Sequence, residues 1–103
     1  MKINLFFASL FLSFMSFAQP TWSDDVAEIV YNKCAQCHHD PGGVAPFPLT
    51  TYAETSPMAA AMYDAIALDE MPPWPPNNDY QQYSHDRSLS DTEKTTLLDW
   101  ILA

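Results

Sequence analysis

The chain has 103 residues, thirteen acidic against four basic side chains and a formal net charge of −9. That length fits a single domain, and the acidic balance excludes nucleic acid and anionic lipid head groups as partners. With only two cysteines, the chain can form one disulfide or one cofactor-attachment site.

Residues 1–18 have the organisation of a secretory signal peptide. Lys2 gives a short basic region, and the apolar run 3–17 is shorter than the roughly 20 residues that span a bilayer. Ser16 and Ala18 place small residues at the two positions that a signal peptidase recognises. We expect cleavage after Ala18 and export to the periplasm or the medium, with no membrane span afterwards. The alternative is an uncleaved anchor helix.

The remaining segment, 19–103, is one small and strongly acidic domain. Three basic residues remain against thirteen acids, which gives a net charge of −10 with neutral histidines. If charge steers a partner, that partner is basic; the alternative is that the charge serves solubility alone. A core of this size gives a narrow margin of stability, so we expect a disulfide, a metal or a bound cofactor to stabilise the domain further.

Apolar periodicity predicts an all-α domain with long, proline-stiffened loops. A first helix is predicted over 24–32, with Ser23 as its cap. Ser56, followed by a proline suited to a first helical position, predicts a helix that continues to about Glu70. A capping box that begins at Ser90 predicts a last helix that ends near Leu102.

The loops between these helices are marked by turn and proline signals. Residues 40–43 form an Asp-Pro-Gly-Gly turn, and the capping box 51–54 predicts a short helical turn. The Met-Pro-Pro-Trp-Pro-Pro segment 71–76 ends the second helix. Because no segment alternates at period two over a useful length, no strand is predicted.

The informative motif is Cys34-Ala35-Gln36-Cys37-His38. Two cysteines separated by two residues place their thiols where both can add to the vinyl groups of haem. The adjacent histidine can then bind the iron, and this pattern is the signature of c-type haem attachment. We therefore expect one covalently attached haem c. Attachment after export agrees with the predicted signal peptide.

Three different roles for the two cysteines remain open. A thioredoxin-like redox pair would sit in a βαβ pattern, which is absent from the sequence. A zinc site would need a second pair of ligands at finger-like spacing. A structural disulfide is the third possibility in an exported chain. None of these roles requires His38 directly after Cys37.

The sixth iron ligand is predicted to be Met71. It follows a helix and precedes two prolines, which have fixed φ and stiffen the loop. A thioether ligand raises the reduction potential of haem iron. Met58 and Met62 lie within a helix and are expected in the core. The remaining histidines, His39 and His85, are also candidates for this ligand.

The order of these elements resembles small class I c-type cytochromes across nearly all of 19–103. A closer resemblance, to bacterial mono-haem c modules, lies in Pro-Gly-Gly-Val-Ala-Pro-Phe at 41–47, Met-Pro-Pro-Trp at 71–74 and Arg-Ser-Leu-Ser-Asp at 87–91. Such modules occur alone or fused to larger domains, including copper type II monooxygenase-like proteins. Copper ligands of that kind are absent from the sequence, so we expect no monooxygenase activity.

The resemblance implies a cytochrome c-like fold in which the terminal helices cross beside the haem. It implies attachment at Cys34 and Cys37 and axial ligation by His38 and Met71. It also implies that a carbonyl in the 46–49 stretch, that of Pro48, accepts a hydrogen bond from the imidazole.

The resulting hypothesis is a monomeric, exported mono-haem cytochrome that transfers single electrons to redox partner proteins and is not an enzyme. One rival is a haem enzyme or gas-binding sensor with an open sixth coordination position. A second rival is a haem-free interaction domain held together by a disulfide between Cys34 and Cys37.

Overall fold

The computed structural model describes residues 18–103, and every regular element in this range is helical. In chain order these elements are a π-helical turn at Trp22–Val26, α1 at Ala27–Lys33, α2 at Tyr52–Thr55, a 3₁₀ turn at Ser56–Met58, α3 at Ala59–Ala67 and α4 at Asp91–Leu102. The prediction of an all-α domain is therefore confirmed for the described range. The predicted signal peptide, apart from Ala18, lies outside it.

The first helical segment begins earlier than the sequence predicted. Thr21 is extended, and its hydroxyl accepts a hydrogen bond from the Asp24 amide at 3.3 Å. In return, the Thr21 amide donates to the Asp25 carboxylate at 2.8 Å. These paired bonds satisfy free amides at the helix start, so Thr21 is the cap and the expectation for Ser23 was wrong.

The second helical segment begins at the capping box that the sequence predicted at 51–54, and it runs without a break into the helix that was expected to start separately at Ser56. Thr51 caps it through a bond from the Glu54 amide, whereas Ser56 is already helical and makes no capping bond. Pro57 has no amide hydrogen to continue the α-helical ladder, and the chain passes it as a 3₁₀ turn. The segment ends at Ala67, three residues before the expected Glu70.

The last helix, α4, begins where the sequence predicted. Ser90 and Glu93 form a complete capping box: the Ser90 hydroxyl accepts from the Glu93 amide, and the Glu93 carboxylate accepts from the Ser90 amide. Leu97 is fully buried, and Leu98 and Ile101 pack against the core beside it. The apolar stripe of α4 is therefore the one that its periodicity indicated.

The core joins the two ends of the domain to its middle helix. Its buried apolar side chains are Val26, Val30, Leu49, Met62, Ile66 and Leu97. The indole rings of Trp22 and Trp100 add to this contact, with centroids 5.8 Å apart. The first and last helical segments thus pack on each other and on α3. Within 18–103 no helix is both long and apolar enough to span a bilayer.

Replacing Leu97 by alanine tests this packing. Because the side chain is fully buried, Leu97→Ala is expected to lower the free energy of unfolding by about 2–5 kcal/mol. Leu102→Ala removes the same atoms from an exposed position on α4 and is expected to change it by less than about 0.5 kcal/mol. Denaturant unfolding followed by circular dichroism measures both, and equal losses would contradict this description of the core.

Candidate functional site

The Cys34–His38 segment is a single helical turn that follows α1. The Cys34 carbonyl accepts hydrogen bonds from the amides of Cys37, at 3.2 Å, and His38, at 2.9 Å. Residues three and four apart lie on the same face of a helical turn. The spacing of the motif therefore brings both thiols and the imidazole to one side of the backbone.

That side faces a cavity with a volume of about 460 Å³. The volume lies within the usual range of ligand sites, about 300–1,000 Å³. Cys34, Cys37 and His38 all line the cavity. Nearly all the remaining lining residues are apolar. They come from the loop after the motif, the second helical segment, the Met71 loop, the residue before the Ser90 cap and α4. The apolar lining residues are Val44, Ala45, Pro46, Phe47, Leu49, Met58, Ala61, Met62, Ala65, Ile66, Met71, Pro72, Pro73, Leu89 and Leu97.

The His38 imidazole is held by the backbone of the following loop. Its Nδ1 lies 2.9 Å from the Phe47 carbonyl oxygen, and because a carbonyl only accepts, Nδ1 carries the proton. In the neutral imidazole, Nε2 is then the nitrogen with a free lone pair for a metal. The Phe47 ring packs against the imidazole, with centroids 4.7 Å apart.

The expectation that the Pro48 carbonyl accepts this bond was wrong. The Leu49 amide donates to the His38 carbonyl at 2.9 Å, so Phe47 and Leu49 both face His38. In an extended stretch, residues i and i+2 present their backbone groups to the same side, and the residue between them faces away. Pro48 is that intervening residue, and it is not among the residues that line the cavity.

Gly43 closes the turn that returns the chain to the motif. Its amide donates to the His39 carbonyl at 3.0 Å, and the Ala45 amide then donates to the Cys37 carbonyl at 3.1 Å. A Cβ atom at Gly43 would collide with the His39 carbonyl and would lie 2.7 Å from the Cys37 carbonyl. Only glycine allows the backbone to approach so closely here.

The chemistry of the thiols argues against a catalytic redox pair and against a zinc site. Burial raises the pKa of the Cys34 thiol to about 11, whereas catalytic redox thiols have lowered values. Among the described residues, no group of three or more histidine, cysteine or acidic side chains is arranged to hold a metal ion. Both cysteines are free thiols.

Three methionines line the cavity: Met58, Met62 and Met71. Met62 belongs to the buried core and Met58 packs against it, which confirms the expectation that these two are core residues. Met71 is 45% exposed and lies at the rim, and its amide donates to the Ala65 carbonyl at 3.1 Å.

The cavity lining includes neither His39 nor His85. The His39 Nδ1 donates to the Ala35 carbonyl at 2.7 Å, which directs this ring back towards its own turn. His85 is exposed and has a positive φ of 57° in the loop before α4. His38 is therefore the imidazole that the fold brings to this site.

Two cations, Lys33 and Arg87, also line the cavity. The Lys33 ammonium donates to the Asp86 carbonyl at 3.3 Å, which brings the two cations to one part of the rim. The Arg87 guanidinium lies over the Trp74 ring, 5.5 Å from its centroid, and its buried Nε has no hydrogen-bond partner. Reasoning from sequence missed both residues, since two isolated basic residues 54 positions apart give no motif.

A hydrogen-bonded network holds the loop that carries Arg87. The Trp74 indole donates to Asn78 at 3.0 Å, and the Asn78 amide donates to both Asp86 and Ser88 at 2.8 Å. The Ser88 amide donates to Asp86 at 2.7 Å. Hydrogen bonds from Ser88 are the main cause that lowers the pKa of the Asp86 carboxyl below its ordinary value.

Comparison with models of known families, with curated proteins and with solved structures finds no match to this chain.

The contrast between Gly43 and Gly42 tests the backbone of the site. Gly43→Ala is expected to lower the free energy of unfolding by more than about 3 kcal/mol, because backbone carbonyls would have to move. Gly42→Ala meets open space, although its φ of +88° is unfavourable for alanine, and a loss of about 1–2 kcal/mol is expected. Thermal unfolding of the two variants measures the difference; a milder effect at Gly43 would argue against the packed turn.

The Asp86 network predicts a specific response to acid. Because the pKa of Asp86 is lowered in the folded protein, its stabilising contribution is present above the ordinary aspartate value of about 3.9 and is lost as pH falls through the lowered value. The Trp74 indole proton resonance should therefore stay constant from pH 7 to about pH 4 and shift only below it. Asp86→Asn should shift it already at pH 7, whereas Asp79→Asn in the same loop should not. A shift centred between pH 5 and 6 would refute the role of Asp86.

Proposed function

We propose that this chain is an exported mono-haem c-type cytochrome that transfers single electrons through a covalently attached haem. The observation that carries the proposal is the single helical turn that presents Cys34, Cys37 and His38 to one large apolar cavity. Two thiols and one oriented imidazole at such a cavity are the donor set that attachment and ligation of haem require.

The residues present fit this cofactor. The cavity is apolar, as a porphyrin face requires, and its wall carries thiols, an imidazole and thioethers. In contact with water, these apolar walls contribute nothing to the hydrophobic stabilisation of the domain. A bound porphyrin would bury them and enlarge the small core of the described residues.

Bound haem would supply one-electron chemistry between ferric and ferrous iron. Cys34 and Cys37 would hold the cofactor through thioether bonds, and His38 would bind the iron through Nε2. The Phe47 carbonyl fixes the plane of the His38 ring through the Nδ1 proton and leaves Nε2 free to bind the iron. The apolar walls would shield a bound haem from water, and burial of this kind is one of the factors that set the potential of haem iron.

Met71 is the proposed sixth ligand. It lines the cavity on a different loop from His38, and its amide is tied to α3. Pro72 and Pro73 also line the cavity and restrict the backbone beyond the thioether. Met58 and Met62 contribute to the packing of the core instead.

The proposal extends to fold, export and partners. Contacts between the first and last helical segments beside the cavity support a cytochrome c-like arrangement. The apolar run in residues 3–17 and the small residues before position 19 support export, which haem attachment to this motif requires. The acidic surface of residues 19–103 favours basic redox partner proteins.

Expression of the full chain in a bacterium that matures c-type cytochromes tests the attachment. The exported protein should retain a haem stain through denaturing electrophoresis, and its mass should correspond to cleavage after Ala18 plus one haem. Cys37→Ala or His38→Ala should abolish stable accumulation, because the cofactor fills much of the core. His39→Ala is the matched control and should accumulate normally. A colourless product with a Cys34–Cys37 disulfide would favour the haem-free interaction domain.

The spectrum of the holoprotein tests the sixth ligand. The ferric protein should show the weak absorption band at the red end that is typical of methionine ligation, and Met71→Ala should remove it and lower the reduction potential. Met58→Leu and Met62→Leu should retain the band. Ready CO binding by the reduced wild-type protein at neutral pH would instead favour an enzyme or gas sensor with an open sixth position.

A further inference from the structure

The turn that carries Met71 begins at the end of α3 with a residue in an unfavourable conformation. Asp69 has a φ of +58°, in the left-handed region that favours glycine. The Asp69 amide donates to the Ile66 carbonyl at 3.1 Å and the Glu70 amide to the Ala65 carbonyl at 2.8 Å. These are the two bonds of a Schellman motif, in which glycine is the usual residue at the position of Asp69.

The carboxylate of Asp69 supplies a contact that glycine could not make. It lies 2.7 Å from the Lys94 ammonium of α4, and this is the only ion pair among residues 18–103. The same ammonium approaches the Ala67 carbonyl, the last residue of α3, at 3.5 Å. Lys94 is thus a cation at the C-terminal end of α3, where the helix dipole favours positive charge.

The Schellman turn and the ion pair between Asp69 and Lys94 both lie next to the backbone of Met71. The Met71 amide shares the Ala65 carbonyl with Glu70, so the Schellman turn fixes the start of the methionine loop. A second cavity of about 250 Å³ borders this loop, and Asp69, Met71 and Pro72 line it together. Met71 and Pro72 also line the main cavity. The Met71 loop therefore borders both cavities, and the turn at its start limits how far the loop can be displaced.

We propose that Asp69 and Lys94 are positioning residues for Met71, whose ion pair holds the Schellman turn and thereby keeps the thioether at the main cavity. This inference rests on the proposed function, since it takes Met71 as the iron ligand. It explains why an aspartate occupies a position suited to glycine: the carboxylate links the turn to α4. Neither Asp69 nor Lys94 lines the main cavity, so the proposed effect of the pair is transmitted through the backbone.

Competition by imidazole, an external ligand that replaces a loosely held methionine, tests the proposal in the holoprotein. Exposed ion pairs have small effects, so Lys94→Gln and Asp69→Asn should each lower the apparent Kd for imidazole about two- to five-fold at low salt. Lys94→Arg should retain the wild-type value. Asp64→Asn, an equal charge change at an exposed site on α3, is the matched control and should also retain it. In 1 M NaCl the wild-type and variant values should converge.

The Asp69→Gly variant distinguishes the effect of the ion pair from the effect of the turn conformation. Glycine suits the left-handed φ but has no carboxylate, so it should raise imidazole affinity as Asp69→Asn does. A wild-type value for Lys94→Gln, or a change in only one partner of the pair, would overturn the proposal. So would an Asp69→Gly protein that binds imidazole as weakly as wild type.

Hydrogen exchange gives a readout that does not depend on the ligand assignment. The Glu70 and Met71 amides both donate to Ala65, and they should exchange about two- to five-fold faster in Lys94→Gln, with no change in Asp64→Asn. If Met71→Ala leaves imidazole affinity unchanged, the proposed ligand is wrong while the exchange rates still decide whether the pair holds the turn. Unchanged exchange rates would overturn the positioning role even in a protein with normal haem ligation.

Discussion

The two hydrogen bonds that the Cys34 carbonyl accepts are the constraint on which the site depends. They wind Cys34–His38 into one helical turn, and the turn places the side chains of residues 34, 37 and 38 on one face. A further intervening residue between the cysteines would rotate the second thiol away by about 100°. The spacing of the motif thus determines which side chains share a face of the helical turn, and the proposed haem attachment would use that geometry.

The same constraint shapes the rest of the domain. The turn directs two sulfurs and an imidazole to one side, and on that side the chain forms a largely apolar cavity. Around it, six buried apolar side chains form the core, and Met62, Ile66, Leu49 and Leu97 belong both to this core and to the cavity wall. Core and binding site are therefore one structure, so stability and cofactor binding are expected to be linked.

The parts of the fold that follow local rules were predictable from sequence. The capping box at Ser90 fixes the start of α4, and the apolar stripe around Leu97 identifies its buried face. The capping box at 51–54 likewise predicted the start of the second helical segment at Thr51. The start of the first segment was missed, because Thr21 competes with Ser23, which is an equally good cap, and Ser56 was wrongly taken as the cap of a separate helix. Which residue caps a helix depends on the path of the chain before it, and local sequence does not contain that path.

The residues of the site also fall into two groups: those that local sequence predicted and those that only the folded chain brings together. The motif residues and Met71 were predicted because their spacing or their prolines carry a chemical meaning, and Cys34, Cys37, His38 and Met71 all line the cavity. The Phe47 carbonyl was misassigned to Pro48, since a one-residue shift depends on backbone register that composition does not reveal. Lys33 and Arg87 meet at the cavity only because the loop network closes over it, and the Asp69–Lys94 pair joins residues 25 positions apart.

Loops, not helices, hold the groups that would bind the iron, and each loop is tied by a few short hydrogen bonds. On the His38 side, Phe47, Leu49 and the close approach at Gly43 fix the imidazole. On the Met71 side, the Schellman turn fixes the start of the loop and the Asp86 network fixes its end. The proposed electron transfer would be fast only if both oxidation states shared nearly the same geometry, and stiff loops on both sides of the cavity would meet that requirement. The prolines and polar networks of the loops therefore serve the site, whereas the terminal helices supply the packing that supports them.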